Sequence, residues 1–320
     1  MKLRISLFLI FFAASAIPAI SLGSCGSATC PIDPQSLNLP YPGRWTLDLS
    51  FQYIDQHELR SGRRRAPNAE PSGDNEIEKR TVNRITTLLA NYAATPDLFL
   101  SVSLPHVSRF HEHFDGGELE RFRLDGVGDV SLAARYRFVS DLSAGLAVKL
   151  PTGNRSSTND AGLRAEPTIA PGTGSTDVSA SLVWQRSASV PSLTHGPLGN
   201  TGAMPYFLGI TGRRNGVGTR DYRSGNEIQI NAGANYPVSE RFQALLQVNS
   251  RFRSKDDVGR TDAVRDDTGG SFVYVSPGFR VAPSPSTAFY GYVQIPIYQR
   301  INGVNIASKY NFLGGLQVRL

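Results

Sequence analysis

The stretch Trp45-Thr46-Leu47-Asp48-Leu49-Ser50-Phe51-Gln52-Tyr53 decides the fold. Its apolar residues take every second position, with Thr46, Asp48, Ser50 and Gln52 between them. Successive side chains of a strand point to opposite faces, so this period of two gathers the apolar groups on one face and the polar groups on the other. A helix, with its period of 3.6, would mix them. The same design returns at 129–138, where Val130, Leu132, Ala134, Tyr136 and Phe138 alternate with Asp129, Ser131, Ala133, Arg135 and Arg137. It returns again at 177–185 and at 241–253.

Working outward from these segments, about twelve strands are expected, near 44–57, 78–93, 98–109, 127–138, 143–152, 175–185, 204–214, 225–236, 241–253, 270–281, 286–299 and 306–320. Most exceed the five or six residues usual in soluble sheets and suit tilted membrane strands. The links alternate in kind. Ala94-Thr95-Pro96-Asp97, Val139-Ser140-Asp141-Leu142, Pro237-Val238-Ser239-Glu240 and Ala282-Pro283-Ser284-Pro285 are compact, whereas 58–77, 110–126, 153–174, 215–224 and 254–269 are long and charged. Short periplasmic turns and long outer loops define an all-β, antiparallel transmembrane β-barrel with both termini in the periplasm. One link, 186–203, is long on the periplasmic side and breaks the rule.

The first residues point to export. Lys2 and Arg4 precede an apolar run from Ile5 to Ala14 and then small residues, the pattern of a secretory signal over 1–24. A periplasmic segment at 25–43 and a barrel at 44–320 in the outer membrane follow. Cys25 and Cys30 are the only cysteines. Their spacing allows a disulfide in an oxidising compartment, while Leu22-Gly23-Ser24-Cys25 also reads as a lipobox that would leave Cys25 lipidated; the two exclude each other. The chain is polar on average, with a mean hydropathy of -0.22. A barrel has that average because its lipid-facing and inward residues cancel. A net charge of +6 is too mild to indicate nucleic acid and fits anionic solutes or lipopolysaccharide better.

Lys149-Leu150-Pro151-Thr152-Gly153, Pro171-Gly172-Thr173-Gly174-Ser175-Thr176-Asp177, Gln294-Ile295-Pro296-Ile297-Tyr298-Gln299-Arg300-Ile301-Asn302-Gly303 and Gly128-Asp129-Val130 together resemble a family of outer-membrane transporter-like barrels named after a MetA pathway of phenol degradation. The resemblance runs from about residue 45 to the end. It implies a barrel with a transport-like role toward hydrophobic or aromatic compounds. The last strand, ending Gln317-Val318-Arg319-Leu320, resembles the C-terminal signal of outer-membrane barrels, with Leu320 in place of the usual aromatic.

Three groups of residues could carry function. The inward positions Asp48, Asp129, Arg135, Arg137, Lys149, Asp177, Arg251, Arg253, Arg280 and Lys309 are expected to line the lumen with a basic excess, which biases a pore toward anions. An alternative is a plugged lumen filled by paired side chains. His106, His111 and His113 fall in one outer link with Glu112 and Asp115, a spacing that could bind zinc or copper at the surface. His106 and Ser108 share outward parity, as a base and nucleophile of an outer-membrane esterase or phospholipase would, though no orienting Asn follows. The leading expectation is a channel for small, aromatic or anionic solutes, not an enzyme and without a cofactor. Its partners are outer-membrane lipid, lipopolysaccharide at Arg60, Arg63, Arg64 and Arg65, and the barrel-assembly machinery that inserts it.

Overall fold

The computed structural model describes residues 32, 44–67, 77–115, 117–191, 201–261 and 263–320. Cys25 and Cys30 lie outside them. The wall is formed by β1 (Trp45–Gly62), β3 (Ile77–Ala93), β4 (Leu98–Asp115), β6 (Ser131–Val139), β7 (Leu142–Lys149), β8 (Asp177–Pro191), β9 (Thr201–Arg214), β10 (Glu227–Pro237), β11 (Phe242–Arg253), β12 (Gly270–Ser284) and β13 (Thr287–Arg319). Each pairs with the next in order and β13 pairs with β1, so the ring is closed. Two strands stand off that path: β2 (Arg64–Arg65) on β1 and β5 (Glu118–Val127) on β4.

The last element spans the wall twice. Its first half pairs with β12 and its second half with β1, both antiparallel. The amide of Arg319 donates to the Ser286 carbonyl at 2.8 Å, which brings its two ends together. The reversal falls at Gly303, whose φ of 55° is the left-handed conformation a tight turn requires. With β13 counted twice, the eleven elements of the ring make twelve passes, the number that alternation predicts.

The burial pattern is inverted relative to a soluble protein. Trp45, Leu49 and Phe51 on β1, Leu88 on β3 and Leu100, Val102 and Leu104 on β4 are exposed on the outer face. Thr46 and Asp48, between them, are buried inside. Trp45 packs against Tyr92 with tilted rings 4.8 Å apart beside the short turns, as an interfacial girdle would. Inside, several sets of polar groups satisfy one another. Asn249 donates to Asn231 at 3.0 Å and to Gln247 at 3.1 Å, and accepts from Ser276 at 2.7 Å. Tyr290 donates to Asp48 at 2.8 Å, and Gln229 donates to Glu227 at 3.0 Å. Ile32, from the segment before the barrel, packs against the inward cluster of Leu245, Tyr290 and Tyr292.

Two links differ from the sequence reading. The segment 110–126 is not a loop: β4 runs on to Asp115 and β5 returns, forming a hairpin that rises above the apolar band. Outward residues there mix Phe110 with Glu112, Arg121, Arg123 and Asp125, so apolar alternation fades while the ladder continues. Likewise β8 extends to Pro191 and β9 begins at Thr201, which shortens the anomalous 186–203 link to 192–200, outside the described residues. Arg186-Ser187-Ala188-Ser189 carry no apolar signal because they pass beyond the lipid.

Val102 sits mid-way along the lipid-facing part of β4. Val102→Arg is therefore expected to cost about 2–4 kcal/mol of stability in bilayers. Ser103→Ala, one residue away on the inner face, faces no lipid and should cost far less, which denaturant titration in liposomes measures.

Candidate functional site: a cavity at the outer mouth

The link between β7 and β8, residues 150–176, folds back into the outer mouth instead of projecting from it. An ionic clasp fixes its two ends. Asp129, in the break between β5 and β6, accepts the amides of Gly153 and Thr173 at 2.9 Å each and the Thr173 hydroxyl at 2.7 Å. Lys149 bridges Asp129 at 3.0 Å and Asp177 at 2.7 Å, and Asp177 in turn accepts from Ser175 at 2.8 Å and from the Gly216 amide at 3.0 Å. Gly153 and Gly172 cross so closely that a Cβ on either would lie 2.7 Å or less from the other's backbone. The motif residues Asp129, Lys149, Gly153, Gly172, Thr173 and Asp177 are thus one device for holding this loop. Burial opposes the charge on Asp129, but Lys149 and the donated hydrogen bonds outweigh it and hold the carboxyl below its ordinary value.

The middle of the loop covers the bore. Ile169 and Ala165 pack on Phe122 and Leu124 of β5. Arg109 of β4 donates to Asn83 at 2.5 Å, to the Thr168 carbonyl at 3.4 Å and to the Ile169 carbonyl. Opposite, Asp256 accepts from Arg253 through both oxygens, from Tyr222 and from the Gly225 amide. Burial and the neighbouring Asp256 push the Tyr222 hydroxyl up, so it stays a donor. Between these walls lies a cavity of about 130 Å³, bounded also by Phe272, Ile301 and Ile306. Glu78, Glu166, Asp256 and Asp267 border it against the cations Arg109 and Arg253.

The expected lumen residues fall into three places. Asp48, Arg251 and Arg280 lie inside: Arg251 pairs with Glu227, and Arg280 donates to Gln317 at 2.9 Å. Arg135 is half-buried on the inward parity of β6. Asp129, Lys149 and Asp177 form the clasp, and Arg253 joins the cavity. Arg137 instead meets Asp97 at 3.0 Å at the periplasmic rim. Lys309 does not line the lumen: a register shift between Ser308 and Asn311 leaves Lys309 and Tyr310 both exposed. Arg109, Asn83, Glu227, Tyr222 and Asp256 were not singled out in the sequence. For Arg109 the signal existed, since it continues the inward parity of Ser101 and Ser103 along β4.

The histidines separate. His106 faces outward, 3.2 Å from Asp125, while His111 and His113 face inward in a chain in which Glu78 is 3.5 Å from His111, His111 is 2.9 Å from His113, and His113 is 3.6 Å from Glu120. The carboxylates lie at opposite ends of that chain, so they do not share a point with both rings. Among the described residues no three His, Cys, Asp or Glu side chains converge on a metal position. No hydrogen bond joins Ser108 to His106 among the described residues.

Residues 77–300 match the family described as "Putative MetA-pathway of phenol degradation". No curated protein matches the sequence. Among solved structures, the COG4313 outer membrane channel from Pseudomonas putida F1 is 14% identical, with 91% of this chain and 100% of that chain covered and a TM-score of 0.65. The transport unit of the autotransporter AIDA-I from Escherichia coli is 12% identical, covering 90% of this chain and 92% of that one at a TM-score of 0.48. The beta domain of the Bordetella autotransporter BrkA is 10% identical, covering 87% and 100% at 0.47. The first shares the fold, that of an outer-membrane barrel.

The clasp sets a pH dependence. A carboxyl whose folded pKa lies below its unfolded value of about 3.9 stabilises the fold above that value and loses the contribution as pH falls through the folded pKa. Asp129→Asn should remove this acid-side dependence and expose 150–176 to limited proteolysis at neutral pH, with the barrel intact by gel heat-modifiability.

Proposed function

The chain belongs to the MetA-pathway phenol-degradation family, and we propose that it is an outer-membrane channel that takes up small solutes through the cavity at its outer mouth. The cavity, formed where the inward-folded loop meets the top of a polar-lined barrel, is the observation that carries this reading. Its size supports a single ring: a cavity of about 150 Å³ lined by apolar side chains holds benzene. Phe272, Ile301 and Ile306 offer the apolar wall, and the Thr168 and Ile169 carbonyls lie beside it. Four carboxylates against two guanidiniums favour a neutral, hydroxyl-bearing ring over an anion. The basic excess expected of the lumen is offset by Glu227, Asp256 and the clasp carboxylates. No observation favours metal capture or ester hydrolysis over this reading.

Purified protein in planar bilayers is expected to conduct ions, and catechol added on the loop side should lower the current in a saturable way, with benzoate weaker. Thr168→Trp fills the cavity and should weaken the catechol effect by about tenfold, equivalent to ~1.4 kcal/mol. A bilayer without conductance, together with no catechol binding by calorimetry, would overturn the reading.

A further inference from the structure

Above the lipid-facing band, the outer wall of β1, β3, β4 and β5 carries two arginines without an ion-pair partner among the described residues, Arg84 and Arg123. Arg80, two pairs further up, is held bidentate by Asp55 at 3.0 and 2.8 Å, and Arg121 lies 3.5 Å from Glu112. Arg84 and Arg123 are exposed. Each instead lies over an aromatic ring directly across the ladder: Arg84 over Tyr53 and Arg123 over Phe110, both at 6.0 Å. A guanidinium lying on a ring face keeps its N–H donors in its own plane, free for an oxyanion.

The register places the two on either side of β4. Arg84 is opposite Ser108, and Arg123 is opposite Phe110. Two strand spacings and two residues along the strands separate them by about 12 Å, and with Arg84 leaning over Tyr53 of β1 and Arg123 over Phe110 of β4 each guanidinium meets its own anion. Directly below, Leu88, Leu104 and Val102 begin the lipid-facing band on the same face. An anion bound at this height would therefore carry its chains down the wall.

We infer that Arg84 and Arg123, on either side of the exposed Asp125 that faces Ser108, each bind a phosphate of the phosphorylated glycolipid in the outer leaflet. The arginines at 60–65 fit this task less well: Arg60 and Arg65 both pair with Glu58, at 3.1 and 2.8 Å, and Arg63 lies over Tyr298. Strand-borne guanidiniums on fixed rings are held in place before the lipid arrives, which limits the ordering that binding requires.

The test is the shift in thermal unfolding of the detergent-purified protein on adding diphosphoryl lipid A, its dephosphorylated form, or inorganic phosphate. Diphosphoryl lipid A is expected to raise the midpoint and the other two to leave it unchanged. In Arg84→Gln/Arg123→Gln the shift should fall by at least about half, while Arg64→Ala should retain it. Native mass spectrometry, which counts bound lipid on folded protein, gives the same comparison should the double variant unfold at a different temperature. Equal lipid A binding by wild type and double variant, an equal shift from the dephosphorylated lipid, or loss in Arg64→Ala would each overturn the site.

Discussion

Closure is the constraint from which the rest follows. In a bilayer a strand edge has no water to satisfy its amides and carbonyls, so a sheet that crosses must meet itself. Here the meeting is made by β13, which turns at Gly303 and lies along β1 from Thr46↔Arg319 up to Gly62↔Ile301. Everything inward of that seam is then enclosed on all sides by protein, and everything outward is given to lipid. The alternation of a nine-residue stretch such as Trp45–Tyr53 is the local imprint of that division.

Enclosure changes what the polar face must do. In an open sheet Asn249, Gln229 or Asp48 would be solvated; here all three are buried and find partners in neighbouring side chains. A buried polar group left without a partner costs roughly 1–3 kcal/mol. That cost explains why the interior holds amides, hydroxyls and carboxylates in hydrogen-bonded sets that span two or three strands, and why Glu227 stands between Arg213 and Arg251. The mouth is the place where this pattern gives way to a mixed lining, with Phe272, Ile301 and Ile306 facing Arg109 and Asp256.

The barrel was legible because its signal is strictly local: parity within a strand and turn residues between strands. Strand count and the inward parity of most charged residues follow from it. What was not legible depends on contacts between distant segments. The strand extensions at 110–115 and 186–191 carry charged and small polar residues among their apolar ones, which breaks the regular alternation, so they read as loops. Lys309 was misplaced because a bulge changes parity without any mark in the residues that form it. The cavity draws on β1, β3, β4, β11, β12, β13 and three outer links, and nothing in the spacing of Tyr222, Asp256 and Ile169 announces that they meet. The motif at 149–153 and 171–177 was visible, but its meaning was structural, a pair of loop ends tied to Asp129.

That tie has an evolutionary reading. Because Asp129, Lys149 and Asp177 fix only the two ends of the β7–β8 link, the stretch between Asn154 and Ala170 is a cassette whose contents can be exchanged without altering the wall that carries it. Barrels sharing the clasp can then diverge in the chemistry of their mouths while keeping one scaffold. Three residues of the cavity lining, Glu166, Thr168 and Ile169, then belong to an insert of fewer than twenty residues.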